Sequence, residues 1–298
     1  MQHQMTVAII GPGKVGCALG RRIHGRGFRV AAVAGRTVAS ARRGARFIGA
    51  GRASGSPSVA ARTADVVLIT TADRGIAPTC ERIAAGRGFH AGQSVFHCSG
   101  AFGPELLAPA RKAGAAVGAL HPLQSFASAE QALRRLRGTF FTFEGDAAAA
   151  SAARRIVRAA GGRFLPIAPA SRALYHAASC VLSNYLVALA DLGLEMMARA
   201  GLERGAAAKA ALPLLRGTLE NLEALGAPDA LTGPVARADA ATVRRHLEAL
   251  RGQPPRFLRL YAELGRYTAG VARRKGLRPS EAAMLMKMFK EASGRSVE

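Results

Sequence analysis

From Thr6 to Ile167 the chain alternates short apolar runs with stretches of helical spacing. The apolar runs are Thr6–Ile10, Arg29–Ala34, Asp65–Thr70, Gln93–His97, Ala115–Leu120, Thr139–Phe143 and Arg163–Ile167. Between them, apolar residues recur every three to four positions over Val15–His24, Val38–Ala45, Gly75–Ala85, Pro104–Lys112 and Ala147–Ala160. Strands buried on both faces read as continuous apolar runs, and helices must cover them. The pattern predicts a parallel sheet flanked by helices. The alanine run Ala147–Ala150 continues with helical spacing, so it reads as a helix and not a linker.

Past Pro166 and Pro169 the pattern changes. From Ser171 onward no stretch reads as a strand, and long helical segments run on, punctuated by Gly201, Gly226, Gly233, Pro234 and Pro254–Pro255. The fold class predicted is an α/β domain over residues 1–168 followed by an all-α domain over 169–298. Ala173–Ala190 carries no formal charge but contains Tyr175, His176, Ser179, Ser183, Asn184 and Tyr185, which are costly in lipid. A central buried helix is expected there, and no membrane span.

Charge changes the picture more than size does. The chain of 298 residues holds 42 Lys and Arg against 19 Asp and Glu, a net charge of +23, and arginine supplies most of it. Nucleic-acid binding would want aromatics among the basic residues, and there are only four Tyr and no Trp. A solvated arginine-rich surface is the expected reading. Residues 1–64 contain no acidic residue at all. The cysteines Cys17, Cys80, Cys98 and Cys180 are too far apart for ligand spacing, so reduced thiols, no metal and a cytoplasmic setting are expected.

The stretch VAIIGPGKVGCALG places Gly11, Gly13 and Gly16 directly after a strand and at the start of a helix. Glycines there let the backbone approach a diphosphate, which then sits on the helix N-terminus. Gly11, Gly13, Lys14, Val15 and Gly16 are therefore expected to bind a dinucleotide, with Thr70 at the end of a neighbouring strand. After the second strand a site for NAD would carry an acid for the ribose hydroxyls. This chain has Arg36 and Thr37 there, a guanidinium and a hydroxyl suited to a 2′-phosphate. NADP, as NADPH, is the expected cofactor.

Ligands of open α/β sheets bind outside the carboxyl ends of the strands. Those ends carry Thr70–Thr71, then HCSGAF with Ser99, then His121 in HPLQSF. The helical half adds SRALYHAASCVLSNYL, in which Arg172, His176, Cys180 and Ser183 share one face with Asn184 at its edge. Further on, ALTGPVARADAATVRRHLEAL offers Arg237 after a Gly-Pro loop, with Asp239 as the N-cap of the next helix.

Together these stretches resemble a two-domain family that joins a Rossmann-like N-terminal domain to a C-terminal domain of unknown function 2520. That family is related to ketopantoate reductases, pyrroline-carboxylate reductases and 6-phosphogluconate dehydrogenase-like helical domains. The matching stretches are GPGKVG, the Ser-Gly of HCSGAF, HPLQSF, YHAASCVLSNYL and LTGPVARADAATVRRHL, and they run over nearly the whole chain. HPLQSF also resembles the His-Pro segment of prephenate dehydrogenases, where the histidine faces the substrate. Two departures stand out: Arg-Ala-Asp at 237–239 where the resemblance implies Arg-Gly-Asp, and His176 and Cys180 where related hydroxyacid dehydrogenases carry Lys-x-x-x-Asn.

The resemblance and the residues imply an NADPH-dependent reductase of a small 2-oxo acid, with ketopantoate the leading substrate. A cyclic imine reductase and a non-catalytic NADP sensor are the alternatives. His121 is the expected acid, titrating near neutral pH, with Gln124 and Ser125 placed to fix its tautomer. His176 is the second candidate acid, Asn184 would orient the substrate, and Ser99, Gln124 and Arg237 would bind it. The long apolar helical segment predicts a homodimer through the second domain.

Overall fold

A computed structural model describes residues 4–294. The chain divides into two compact units, the first closing at Tyr185 and the second opening at Leu186.

The first unit is built on one eight-stranded sheet. Its strands are β1 (Met5–Ile10), β2 (Phe28–Ala34), β3 (Arg52–Ser54), β4 (Val66–Ile69), β5 (Ser94–His97), β6 (Ala116–Pro122), β7 (Phe140–Gly145) and β8 (Arg163–Pro166). They lie in the order β3-β2-β1-β4-β5-β6-β7-β8. Alternation along β1 shows why the runs are apolar throughout. Val7 and Ile9 enter the core on one face of the sheet, and Ala8 and Ile10 enter a second core on the other. The first face is covered by α1 (Lys14–Ile23), α2 (Val38–Ile48), α6 (Ala129–Arg135) and α7 (Ala147–Ala160). The second is covered by α3 (Pro57–Arg62), α4 (Ile76–Ala85) and α5 (Ala108–Lys112).

Two features depart from the simple parallel sheet. The short edge strand β3 carries no continuous apolar run, since Arg52 and Ser54 flank a single alanine. And β7 runs antiparallel to β6, with His121 opposite Thr142 and Pro122 opposite Phe141. That pairing extends β6 through His121 and Pro122, two residues beyond the apolar run. The proline is tolerated because β5 ends opposite Ala119, so no neighbour on that side needs its missing N–H.

Strands end by residue 166, yet the first unit continues to Tyr185, past the boundary expected at residue 168. Helix α8 (Arg172–Cys180) is held to the sheet by polar contacts that no apolar pattern reveals. A π-helical segment, Val181–Tyr185, follows it.

In the second unit α9 (Leu186–Arg199), α10 (Arg204–Leu225), α11 (Ala227–Ala230), α12 (Ala240–Arg251), α13 (Pro255–Arg274) and α14 (Pro279–Gly294) follow in order. Its core gathers Val243, Leu247, Leu258, Ala262, Leu285 and Phe289. Gly265 on α13 lets the Phe289 ring of α14 lie against the backbone, where a Cβ would come within 2.5 Å of the ring. Asp239 caps α12 by accepting from Thr242 N at 3.0 Å. Beside it, Ala238 sits at φ 54, the left-handed region that favours glycine, so the Arg-Ala-Asp departure falls where the backbone needs glycine most.

The central buried helix expected over Ala173–Ala190 is instead exposed. Between Ser171 and Arg199 only Arg172 is buried, and Leu174, Leu182 and Val187 are each at least 70 % exposed. By length and composition, Pro169–Arg199 is apolar enough to cross a membrane.

Candidate active site

The glycine turn after β1 is shaped as its sequence demands. Gly11 takes φ 92 and donates to Ala34 O at 2.8 Å, which ties the turn to the end of β2. A Cβ on Gly11 would lie 2.8 Å from Thr71 N, and one on Gly16 would overlap Thr70 Oγ1. Thr70 Oγ1 donates to Gly11 O at 2.7 Å, locking the turn to the end of β4. Helix α1 opens directly behind Gly13, with its first N–H groups free for an anion.

A cleft of about 690 Å³ opens above this turn, lined by Gly11, Gly13, Arg36, Ser40, Thr70 and Thr71 among others. Thr71 Oγ1 is buried at its wall without a hydrogen-bond partner. At Gly13 an added Cβ would meet only Thr70 O at 3.9 Å, so the head of α1 opens onto free space, and an orphaned hydroxyl lies beside the turn; a bound dinucleotide diphosphate would explain both. Arg36 lines the cleft and forms no ion pair with any described residue. Thr37 has another task. Its Oγ1 accepts from Ser40 N while Ser40 Oγ accepts from Thr37 N, a reciprocal cap that starts α2 and leaves Ser40 at the cleft. Lys14 also turns elsewhere: its Nζ donates to Phe126 O at 3.2 Å, tying the head of α1 to the loop after His121. Val15 is half-buried in the first turn of α1.

A second cluster lies at the ends of β5 and β6. His121 Nδ1 is 2.9 Å from Tyr175 Oη on α8, and Thr142 Oγ1 donates to the same phenol oxygen at 3.3 Å. The His121 and His176 rings stand edge to face, 6.0 Å between centroids. Gly100 lies between them: a Cβ there would be 2.5 Å from His176 Nδ1 and 2.9 Å from His121 Nε2. His176 Nε2 lies 3.7 Å from Cys180 Sγ, and its buried Nδ1 has no partner. His121 Nε2 makes no hydrogen bond and, unlike His176 Nδ1, is not sealed from solvent.

Beneath the two imidazoles sits a buried ion pair. Arg172 Nε donates to Glu144 Oε2, and Arg172 Nη1 donates to Gly100 O at 3.3 Å. The pair therefore pins α8 to both β7 and the HCSG loop. Losing the carboxylate would leave a buried guanidinium uncompensated, at a cost of about 3–5 kcal/mol. Burial, reinforced by the neighbouring His176 and Arg172, pushes the His121 imidazole down to about 4. His121 in the free chain is neutral at neutral pH, which corrects the expectation that it titrates near 7.

The other polar residues of these strand ends hold the loops. His97 is fully buried; its Nε2 donates to Gly103 O at 2.8 Å and its Nδ1 accepts from Ser99 N. That pattern requires the neutral ring, and burial lowers its pKa accordingly. Ser99 is buried too, its Oγ accepting from Ala101 N, so it shapes the turn. Gln124 is exposed and its Oε1 accepts from Ser125 N, so neither residue fixes the His121 tautomer. Tyr175 occupies that role. Asn184 is exposed on the π-helical segment, with no hydrogen bond to the cluster. Arg237 is exposed in the second unit.

Tyr175, Arg172, Glu144 and Gly100 are the members that the strand-end reasoning leaves unassigned. Arg172 does share the helical face of His176 in the sequence, but its partner Glu144 is a lone acid inside an apolar strand. Gly100 yields a direct prediction. Gly100→Ala should force the two imidazoles apart and lower turnover by about 10²-fold, since small misplacements of catalytic groups cost large factors. NADPH affinity should hold, because the cradle lies on other strands. Undiminished turnover in the purified variant would show that the juxtaposition does not matter.

Residues 1–122 match a Rossmann-like domain, and residues 139–268 match a domain of unknown function, DUF2520. No functionally curated protein matches the sequence. Among solved structures, a Bacteroides fragilis protein provisionally described as an NADP oxidoreductase shares 22% identity over 92% of this chain and 99% of its own, at a TM-score of 0.70. A Thermotoga maritima protein shares 20% identity over 98% of this chain and 100% of its own, at 0.64. A pyrroline-5-carboxylate reductase from Coxiella burnetii shares 14% identity over 98% of this chain and 99% of its own, at 0.57. At these identities the likeness is one of fold. The two domain matches lie in sequence order on either side of Leu123, and the chain belongs to the two-domain family that joins a Rossmann-like domain to a domain of unknown function 2520.

Proposed function

We propose that this chain is an NADPH-dependent reductase of a small carbonyl compound, with 2-oxo acids as substrates and ketopantoate the leading one. One observation carries the reading: within a single unit, a dinucleotide-shaped cradle at β1 and β4 adjoins a histidine cluster at β5 and β6. Gly11, Gly13, Gly16 and Thr70 would hold the cofactor, and Arg36 its 2′-phosphate. Bound NADPH supplies the hydride.

The chain's own task is then to bind the substrate and to place a proton. Tyr175 holds Nδ1 of His121 and leaves Nε2 free to face the substrate oxygen. His176 sets the far wall across Gly100. Entry of an anionic substrate beside His121 raises the pKa that burial has lowered, because a nearby negative charge favours the cation. Arg237 is proposed as the carboxylate clamp, and Asn184 as an orienting residue.

A second reading, reduction of a cyclic imine, is favoured by the low pKa of His121. An iminium arrives already protonated, so hydride transfer to it requires no acid. The similar Coxiella burnetii reductase is named for such a substrate. Following NADPH oxidation against a panel of 2-oxo acids and cyclic imines separates the two. Turnover of 2-oxo acids supports the first reading and turnover of imines alone the second. Tight NADPH binding without turnover of either leaves the sensor.

The second unit is proposed to pair with a second copy. Helix α9 buries no residue, and Leu212, Leu214, Leu219 and Leu225 of α10 are all half exposed or more. Apolar surface on that scale marks an interface. Sedimentation equilibrium giving a monomer at micromolar concentration would remove this proposal.

A further inference from the structure

The cleft is lined from both strands that flank β1, and the NADPH reading uses the residues from only one of them. Strands β2 and β4 flank β1 in the sheet. From the β2 side come Arg36 and Ser40; from the β4 side come Arg74, just after the strand, and Arg82 on α4. All three arginines are exposed, and none forms an ion pair with a described residue. No Asp or Glu lines the cleft. Three guanidinium groups around one cleft, with no carboxylate among them, repel one another until an anion enters.

One anion cannot answer all three through the glycine turn. A diphosphate there would be met by backbone N–H groups and the head of α1, and the turn from Gly11 to Gly16 itself carries no arginine. The unpaired arginines line the part of the cleft reached from the ends of β2 and β4. A dinucleotide bound at the turn would place its adenosine there, with Pro57 and Pro78 as flat apolar flanks for a base.

We propose that Arg74 and Arg82 form the second wall of a phosphomonoester subsite, facing Arg36, and that this wall helps select a 2′-phosphorylated dinucleotide. The inference rests on the NADPH reading and extends it to residues beyond the end of β2. Guanidinium groups bind phosphate oxygens in forked pairs, so arginines on opposite walls would clasp a dianion that one arginine alone leaves half-solvated.

The test is equilibrium binding, read by calorimetry and independent of turnover. Arg74→Ala and Arg82→Ala should each raise the Kd for NADPH by about tenfold, the worth of one charge-assisted contact near a surface. The Kd for NADH should move by less than about twofold. Adenosine 2′,5′-bisphosphate should compete with NADPH in the parent protein and lose its competition in the double variant, while 5′-AMP behaves alike in both. The substituted side chains are exposed, so unchanged thermal melting serves as the control. Equal losses for NADPH and NADH would overturn the proposal, as would no loss for either. Failure of the parent protein to bind NADPH at all would instead overturn the cofactor reading, and this subsite with it.

Discussion

Arg36→Asp is expected to weaken NADPH binding by about 2–4 kcal/mol, a loss of roughly 30- to 1,000-fold. The figure combines removal of one charge-assisted hydrogen bond with new repulsion between the introduced carboxylate and a phosphate dianion. Arg36 lines the cleft and has no ion-pair partner among the described residues, so no carboxylate of the fold competes for it. The absence of acids through residue 64 points the same way: any carboxylate near the end of β2 would have cancelled the field that draws the phosphate in. NADH carries no 2′-phosphate, and its affinity should change far less. Calorimetric titration of both dinucleotides decides the matter. Equal affinity of the parent protein for NADH and NADPH would show that Arg36 belongs to the solvated surface.

Replacing His121 by Ala should lower turnover by about 10²–10⁴-fold, the worth of a general acid, with NADPH affinity nearly unchanged. His121 stands where β6 opens past its neighbour β5, its Nδ1 fixed by Tyr175 and its backbone stiffened by Pro122. The pH dependence follows from its position. In the free chain its pKa is held near 4, so kcat/KM should fall as pH rises above about that value. An anionic substrate raises the pKa, so the same limb in kcat should lie at higher pH. Both limbs should vanish in the variant. Stability carries a matching signature. The folded pKa lies below the unfolded value, so unfolded chains bind the proton first and stability falls between about pH 6.5 and 4. The integrated loss is about 3 kcal/mol, and burial of His97 adds to it in the same direction. If His121→Ala keeps most activity while His176→Ala abolishes it, the roles are reversed.

Much of the fold and of the glycine turn at the cleft is legible in the sequence. The glycine turn, its strand and the basic replacement for an acid after β2 are local features, because backbone approach and charge are set by residues close in sequence. Both cores follow from the continuous apolar runs. Asp239 as a cap is readable for the same reason, since a cap and its helix are three residues apart.

Other parts were decided only by folding. The reversal of β7 against β6 lengthened β6 through His121, and no apolar periodicity records strand direction. Gln124 and Ser125, neighbours of His121 in the chain, turned to their own loop, while Tyr175, 54 residues away, took the imidazole. The long uncharged helix reads as buried from composition alone, but burial depends on what packs against it, and among the described residues little covers it. Sequence determined where a tight glycine turn and apolar layers must form, since both depend on short-range backbone geometry and on hydrophobicity. Tertiary structure decided which polar groups meet at the site, because Gly100, Glu144, Arg172 and Tyr175 come together only when separate strands and a helix close on one another.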